Sequence, residues 1–499
     1  MLITDLIPKE EIIYAPPLED TDIIYPTNNF ADVTEKHALF LYCGVGKEKK
    51  QRIVLKDNIN PYCIVTDGDV EISSDIPTVK VKNARRALSF AHMNINEIDT
   101  QRIKIIGVTG TNGKTTTANM IYCILKYAGY KCGFIGTGKI EIDGRALEDK
   151  FYSMTTPDPQ KLYPTLKQME SEGCRYIVME VSSHSLALEK ISPLFFECGV
   201  FTNLSEEHLD FHKSMWEYYN TKAELFKRCK MAVINIDDNY GEDLFDSISY
   251  EKASVGVVYP STVKAVQIKD KGLSGIEYFY KEKDLIFKVD LSVSGIYNVY
   301  NSLMAAKCAR LLGVKATVIK KALSAFNAPE GRMNIISHSP TVIIDYAHTP
   351  FAMENVFKSL NSSKDLGQKL ITVFGCGGER DKYKRSKMGK IAEEYSDKIY
   401  ITEDNSRGEA FEIILSHILK DIGSSQKMKV IKDRALAIRT AILEAQERDI
   451  IVLLGKGHEK YVIKDGEVTP FNEREIALGA LEERKSDYEN KARSCLELK

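Results

Sequence analysis

The stretch Gly110-Thr111-Asn112-Gly113-Lys114-Thr115 restricts what this chain can fold into more than any other. It follows RIKIIGVTG, an apolar run that reads as a buried strand entering a glycine turn. It precedes TTTANMIYCILKYAG, whose Ile121, Ile124, Leu125 and Ala128 share one helical face, with Gly129 as the stop. Strand, glycine turn and helix in that order make a phosphate cradle. The glycines let backbone N–H groups curl round phosphate oxygens, and the helix start adds partial positive charge. Lys114 is then placed to hold β- and γ-phosphates and Thr115 to ligate Mg²⁺. Val108 stands where the ordinary Walker pattern has its first glycine and Gly107 comes one residue early, so the loop is a variant.

The alternation of strand and helix continues. RYIVMEV, CGVFTNL and MAVINIDD read as further strands, and GIYNVYNSLMAAKCARLLG as a helix ending at Gly313. APEGRMNII, with Pro and Gly, reads as a hinge. A second series then begins, and TVIIDYAH, LITVFGCGG, DKIYITEDN and DIIVLLGKGH each place polar residues at the end of an apolar strand, where open parallel sheets bind ligands. The expected fold is α/β in three domains. Residues 1–102 form a small N-terminal α/β domain, 103–332 a central parallel sheet of phosphate-loop type with helices on both faces, and 333–499 a Rossmann-like α/β domain facing it across a cleft. GCGG is too short for a dinucleotide fingerprint.

Composition excludes several function classes. A net charge of −2 over 499 residues gives no general attraction to nucleic acid or to an anionic membrane. No apolar run reaches the length of a membrane span, and MLITDLIPKEEIIY has neither the basic start nor the apolar core of a signal peptide. The ten cysteines contain no C-x-x-C pair and read as reduced thiols of a cytoplasmic protein. Cys376 lies in a glycine turn with no activating partner evident nearby.

The phosphate loop alone leaves kinase, motor, GTPase and ligase open. Glu180 ends the apolar strand Tyr176-Ile177-Val178-Met179, where a carboxylate can reach Mg²⁺, and His208 follows another strand as a metal ligand, a phosphate contact or a structural histidine. Taken together and in order, GVTGTNGKTTT, MEVSSH, FTNLSEEHLDFH and YNTKAELF resemble the Mur ligases of peptidoglycan synthesis. TTPDP at 155–159 and MEVSSHSLAL resemble the branch that adds the third amino acid of the peptide stem.

The resemblance implies an ATP-dependent carboxylate–amine ligase working through an acyl phosphate, with Mg²⁺ and a CO₂-derived carbamate on Lys222. A carbamate would turn an ammonium that cannot bind a metal into an oxygen ligand. It gives catalytic roles to Lys114, Glu180, His208 and Lys222, and metal contacts to Thr115, Glu180, His208 and carbamylated Lys222. ATP binding falls to Gly110, Thr111, Asn112, Gly113, Lys114, Thr115, Thr116, Asn298, Arg332, Asp345 and His348, with Asn301 also near the adenine. The UDP-muramoyl dipeptide falls to Asn29, Thr155, Thr156, Ser182 and Lys190. The incoming amino acid falls to Arg385, Asp404, Asn405, Ser406, Arg407, Gly455 and Glu459.

Asp404-Asn405-Ser406-Arg407 keeps the arginine of the meso-diaminopimelate enzymes' Asp-Asn-Pro-Arg but not its proline, which favours meso-diaminopimelate over L-lysine or meso-lanthionine. Lys190 stands where many relatives have arginine, and Thr27-Asn28-Asn29-Phe30 replaces the usual Asp-Ser-Arg, so the uridine end diverges. The expected partners are small molecules only, with no nucleic acid and no membrane insertion, acting on a monomer. Two rivals are a folylpolyglutamate-synthetase-like ligase, which would lack the combination of TTPDP, DYAHTP and GKGHE, and a nucleotide-binding scaffold without catalysis.

Overall fold

The computed structural model describes residues 2–18, 24–42, 53–54, 60–68, 70–71, 75–147, 154–423 and 426–497. The N-terminal part carries a five-stranded sheet in the order Ile12–Tyr14, Thr78–Val81, Cys63–Thr66, His37–Leu41, Tyr25–Thr27. Helix Ala84–Ile95 packs on it through Ala84, Ala87, Leu88 and Ala91.

The central sheet has eleven strands. Its core is parallel and runs Cys132–Gly136, Tyr176–Glu180, Lys104–Thr109, Phe196–Phe201, Cys229–Asn235, Lys252–Gly256, Val263–Asp270. The expected parallel sheet is extended antiparallel at both edges, by Lys139–Ile142 and Arg145–Ala146 on one side and Ile276–Glu282 and Leu285–Leu291 on the other. These hairpins cap the edges with short-range pairings that need no crossover helix.

The strand before the phosphate loop shows why the motif folds as it does. Along Lys104–Thr109, Ile106 and Val108 enter the core shared with helices Lys114–Tyr127 and Ile296–Leu311, while Ile105 enters the opposite core with Leu162 and Leu166 of helix Pro159–Ser171. A run apolar at successive positions is therefore buried on both faces, as a central parallel strand requires. Ile121, Ile124 and Leu125 are fully buried on the sheet side of their helix, and Gly129 takes φ +84° just beyond its end.

The C-terminal sheet runs Asn334–His338, Thr341–Asp345, Ile450–Leu454, Leu370–Phe374, Lys398–Ile401, Met428–Val430, all parallel except the first pair. Two cores cover its faces. One is formed with helices Pro350–Ser362, Tyr383–Tyr395 and Phe411–Leu419, the other with Arg434–Glu444 and the start of Glu473–Glu497. The hinge passes hard against this domain: a Cβ on Gly331 would sit 2.3 Å from the His458 backbone nitrogen, and Gly331 holds φ +72°. Among the described residues no helix is long and apolar enough to cross a membrane. Eight cysteines, Cys376 among them, are free thiols, while Cys43 and the side chain of Cys495 lie outside the described residues.

Candidate active site

A cavity of about 440 Å³ lies between the central and C-terminal domains. Its walls include the phosphate loop from Thr111 to Thr116, Glu180 and His208 on one side, and Arg332, Asp345 and His348 on the other. Asn298 and Asn301, from the helix that packs against the loop helix, line it too.

The loop is held in shape by its own chain. Gly110 has φ +142°, and a Cβ there would lie 1.9 Å from Thr202 Oγ1. Gly113 caps the helix at φ +82°, where a Cβ would meet Asn301 Oδ1 at 2.5 Å. Thr202 Oγ1 donates to the Asn112 carbonyl at 2.6 Å and the Thr111 N–H donates to the Asn203 carbonyl at 2.8 Å. Lys114 Nζ folds back and donates to the carbonyls of Gly110 (3.0 Å) and Thr111 (2.8 Å). Burial pushes the Lys114 ammonium below the usual lysine value, with Arg332 acting the same way and Glu207 and Glu180 against it.

Glu180 is fully buried at its strand end. It accepts from the Thr115 hydroxyl (2.9 Å) and from the backbone N–H of Thr137 (2.9 Å). Arg332 Nη2 reaches Thr115 Oγ1 at 3.3 Å, with its guanidinium over the Tyr346 ring at 4.5 Å. The hinge arginine thus touches the phosphate loop directly. Among the described residues no three His, Cys, Asp or Glu side chains converge as a ready-made metal cage.

Lys222 is 1% exposed and is not part of the cavity wall. It donates to the Gly110 carbonyl at 2.8 Å and lies 4.6 Å from the Tyr218 ring centre. Burial, reinforced by the charge of Lys114 and opposed by Glu207, drives its ammonium well below the ordinary lysine value. His208 adopts φ +56° and packs edge-on against His184 at 4.9 Å, and burial lowers its pKa to about 3 despite the neighbouring Glu207.

Two of the expected nucleotide contacts are occupied internally. Asp345 accepts from the backbone N–H groups of Met333 and Ala347, both at 2.7 Å, and so shapes the turn after its strand. His348 places Nδ1 2.8 Å from the Tyr346 carbonyl and Nε2 3.0 Å from Glu207 Oε1. That last contact bridges the two domains. Glu207 stands beside His208 in SEEHLD, and the sequence reading passed over it because its partner is 141 residues away. Although burial works to raise its pKa, His208, His348 and Lys384 together hold Glu207 well below the usual carboxylate range.

Thr155, Thr156 and Ser182 gather beside Glu180. Thr155 Oγ1 is 3.0 Å from Thr137 Oγ1, and Thr156 Oγ1 donates to the Glu180 carbonyl at 2.9 Å and accepts from the Ser182 N–H at 3.2 Å. Lys190 pairs with Asp158 at 2.7 Å. Asn29 is not brought to this group. It is exposed, and its side chain caps its own turn through Ala31 N and Asp32. Asn28 is the residue that reaches across, hydrogen-bonded to Tyr42 and to Gln160 of the central domain.

In the C-terminal domain, Asp404, Asn405 and Glu459 form one polar cluster with Lys456, a residue absent from the expected set. Asn405 Nδ2 donates to Glu459 Oε2 at 2.8 Å, and Lys456 Nζ lies within 3.4 Å of all three. Arg407, at φ +51°, donates through Nη1 to the Gly378 carbonyl at 2.8 Å and contacts the Asn405 carbonyl at 3.3 Å. Ser406 is buried against Gly378, and Gly455 at φ +110° leaves room for Asp404 Oδ2, which a Cβ would meet at 2.8 Å. Arg385 is not in this cluster. It is fully buried, with its fork bidentate on Glu409 (2.7 and 2.8 Å) and one nitrogen also on the Gly377 carbonyl (2.9 Å), which leaves it a structural place.

Residues 108–309 match the Mur ligase middle domain, and residues 331–457 the Mur ligase, glutamate ligase domain. The chain is 39% identical over 424 residues to the UDP-N-acetylmuramoyl-L-alanyl-D-glutamate–2,6-diaminopimelate ligase of Caldanaerobacter subterraneus subsp. tengcongensis, covering 84% of this chain and 86% of that one. It is 37% identical to the Aquifex aeolicus protein of the same name, covering 90% and 92%. A solved structure of a ligase with that name aligns with a TM-score of 0.63 at 24% identity, covering 93% and 95%. Mycobacterium tuberculosis folylpolyglutamate synthase aligns at 0.61 and 17% identity, covering 74% and 92%. The two structural likenesses show a common fold.

Proposed function

The chain belongs to the Mur ligase family, and from that premise we propose that it joins meso-diaminopimelate to UDP-N-acetylmuramoyl-L-alanyl-D-glutamate. It is an ATP-dependent ligase. The observation that carries the choice of amino acid is the neighbourhood of Arg407. Its guanidinium touches the backbone of Asn405, whose side chain is bonded to Glu459, with Asp404 adjoining. A cationic fork next to two carboxylates suits a substrate end carrying both a carboxylate and an ammonium, which lysine's side chain does not have.

The donors around the loop fit Mg²⁺: the Thr115 hydroxyl and the Glu180 carboxylate are already in contact, and His208 lines the same cavity. Once bound, the metal would neutralise charge on the triphosphate. Lys222 fits a carbamate. Its surroundings disfavour the ammonium, and the neutral amine is the form that adds CO₂, making an N–C bond and releasing one proton. The product would be an anionic oxygen donor in place of a cation.

Lys114, exchanging its backbone carbonyl partners for phosphate oxygens, would hold the β- and γ-phosphates, and Arg332 would hold the γ-phosphate from the hinge side. The carboxylate of the UDP-linked dipeptide attacks the γ-phosphorus, the bond to the β–γ bridging oxygen breaks, and ADP departs. The neutral amine of the amino acid then attacks the acyl carbon, the bond from that carbon to the phosphate oxygen breaks, and the proton lost from nitrogen leaves with the phosphate. Both steps depend mainly on positioning and charge stabilisation. Closure about the hinge at Gly331 and Arg332, secured by the Glu207–His348 contact, would bring amine and acyl phosphate together and keep water out. The site of action is the cytoplasm, where ATP is supplied and the free thiols stay reduced, and the working unit is a monomer.

Phosphate release with UDP-N-acetylmuramoyl-L-alanyl-D-glutamate tests the reading, comparing meso-diaminopimelate, lysine and lanthionine. Turnover should be fastest with meso-diaminopimelate. Equal or faster turnover with lysine would remove the role given to Arg407.

A further inference from the structure

Within the candidate amino-acid site, one buried cation, Lys456, is left unused by the mechanism above. Lys456 sits between two glycines at the end of strand Ile450–Leu454, with no solvent exposure. Its ammonium is shared among Asn405 Oδ1 (3.1 Å), Glu459 Oε2 (3.2 Å) and Asp404 Oδ1 (3.4 Å). The rings of Tyr461 and Phe471 close round it at 5.9 and 6.0 Å. Asp404 and Asn405 are themselves less than a tenth exposed.

A second ion pair, Arg434 with Glu473 at 2.7 Å, is buried alongside and is neutral in itself. Lys456 supplies one positive charge to these two carboxylates, and the neighbouring Arg407 guanidinium supplies a second. Lys456 also engages only one oxygen of each acid. Among the described residues Asp404 Oδ2 takes no hydrogen bond, and Glu459 Oε1 has only a long 3.5 Å contact from the Tyr346 hydroxyl.

Resting on the reading of this cluster as the amino-acid pocket, we propose that Lys456 is the positioning residue of that pocket. It pins one oxygen of Asp404 and one of Glu459, so that the other oxygen of each acid is left to accept the non-reacting ammonium of a diamino acid. Asn405 ties the two acids together, donating to Glu459 Oε2 through Nδ2 and to Asp404 Oδ1 through its backbone N–H. Without the lysine, the two carboxylates lose the contact that holds one oxygen of each in place, and their mutual repulsion opens the spacing between them.

The test is steady-state kinetics of the full-length protein, read as separate KM values for each substrate, with diaminopimelate compared with 2-aminopimelate, which lacks the second amine. Lys456→Met should raise KM for diaminopimelate at least about tenfold, the loss of a charged hydrogen-bonded contact, with KM for ATP within about twofold. Its preference for diaminopimelate over 2-aminopimelate should shrink by a similar factor. Lys456→Arg keeps the charge but spreads it over a planar fork, and should show a smaller shift in the same direction.

If the methionine variant does not fold, the arginine variant decides. A rise in KM confined to the diamino acid supports the assignment, and an unchanged KM overturns it. A fall in kcat with KM and preference unmoved would make Lys456 merely structural and also overturns it. Absence of turnover by the unaltered enzyme with every amino acid would instead count against the proposed function itself.

Discussion

Lys114 and Lys222 converge on one acceptor: both ammonium groups donate to the carbonyl oxygen of Gly110, at 3.0 and 2.8 Å. Two cations on one neutral oxygen repel each other, and the more deeply buried of them, Lys222, is the one pushed furthest toward the neutral amine. Phosphate oxygens can take over as the partner of the loop lysine, whereas Lys222 does not line the cavity. The proposed carbamate rests on that difference.

Lys222→Ala should therefore lower kcat by a factor of about a hundred or more, as removal of a charge-stabilising group does. Added acetate or propionate should restore part of the activity by supplying the missing carboxylate. Phosphate release measured with and without the added acid checks this. Near-normal turnover of the unsupplemented variant would take Lys222 out of the mechanism.

Gly110→Ala should disable the loop by geometry alone. The backbone there is at φ +142° and the new methyl would fall 1.9 Å from Thr202 Oγ1, a contact that only movement of strand or loop can relieve. We expect a loss of about 3 kcal/mol in stability and of ATP binding together. Thermal unfolding and nucleotide titration read the two effects, and an unchanged melting temperature would show that the loop is softer than its packing indicates.

Glu207→Gln should separate binding from turnover. The substitution weakens the contact to His348 while leaving the phosphate loop's own hydrogen bonds in place. ADP affinity should change less than about twofold, while kcat falls about tenfold because the C-terminal domain closes less completely. Hydrogen exchange across residues 329–333 should rise. Protection equal to that of the parent protein would show that this contact does not hold the hinge.

The Arg385–Glu409 pair predicts a pH dependence of stability. The bidentate bond from Arg385, working against burial, lowers the Glu409 pKa from 4.5 to about 2. A depressed carboxylate stabilises the fold above its unfolded value, and that contribution is lost as the pH falls from about 4.5 to about 2. Glu409→Gln should cost about 1–2 kcal/mol at neutral pH, as weakening a charged hydrogen bond to a partly exposed carboxylate does, and progressively less across that window. Parallel denaturant titrations at pH 7 and pH 3 measure it, and a difference independent of pH would contradict the pairing.

What the sequence made legible was local. Strand, glycine loop and helix around Lys114 follow one another within 26 residues, from Arg102 to Tyr127, so period and turn chemistry suffice. Glu180 could be placed because the apolar run before it ends abruptly. The antiparallel hairpins at both edges of the central sheet were missed, since an alternating strand carries no mark of which edge it joins. Glu207 and Lys456 were missed for another reason. Their importance lies in partners 141 and 52 residues away, and nothing in SEEH or GKGH distinguishes them from solvated charge. Arg385 shows how a polar motif can be drawn inward. An arginine in a polar motif suggests a substrate contact, yet its partner Glu409 lies on the next loop. Asn28 and Asn29 are adjacent and identical, and only the turn decides which one faces Gln160.

The back-folded Lys114 and the Arg332–Thr115 contact have a consequence for how nucleotide arrives. Because these donors already have acceptors within the protein itself, an incoming triphosphate trades places with existing partners instead of rescuing stranded ones. Association is then an exchange reaction, and its net driving force is the small surplus of ionic over neutral acceptors.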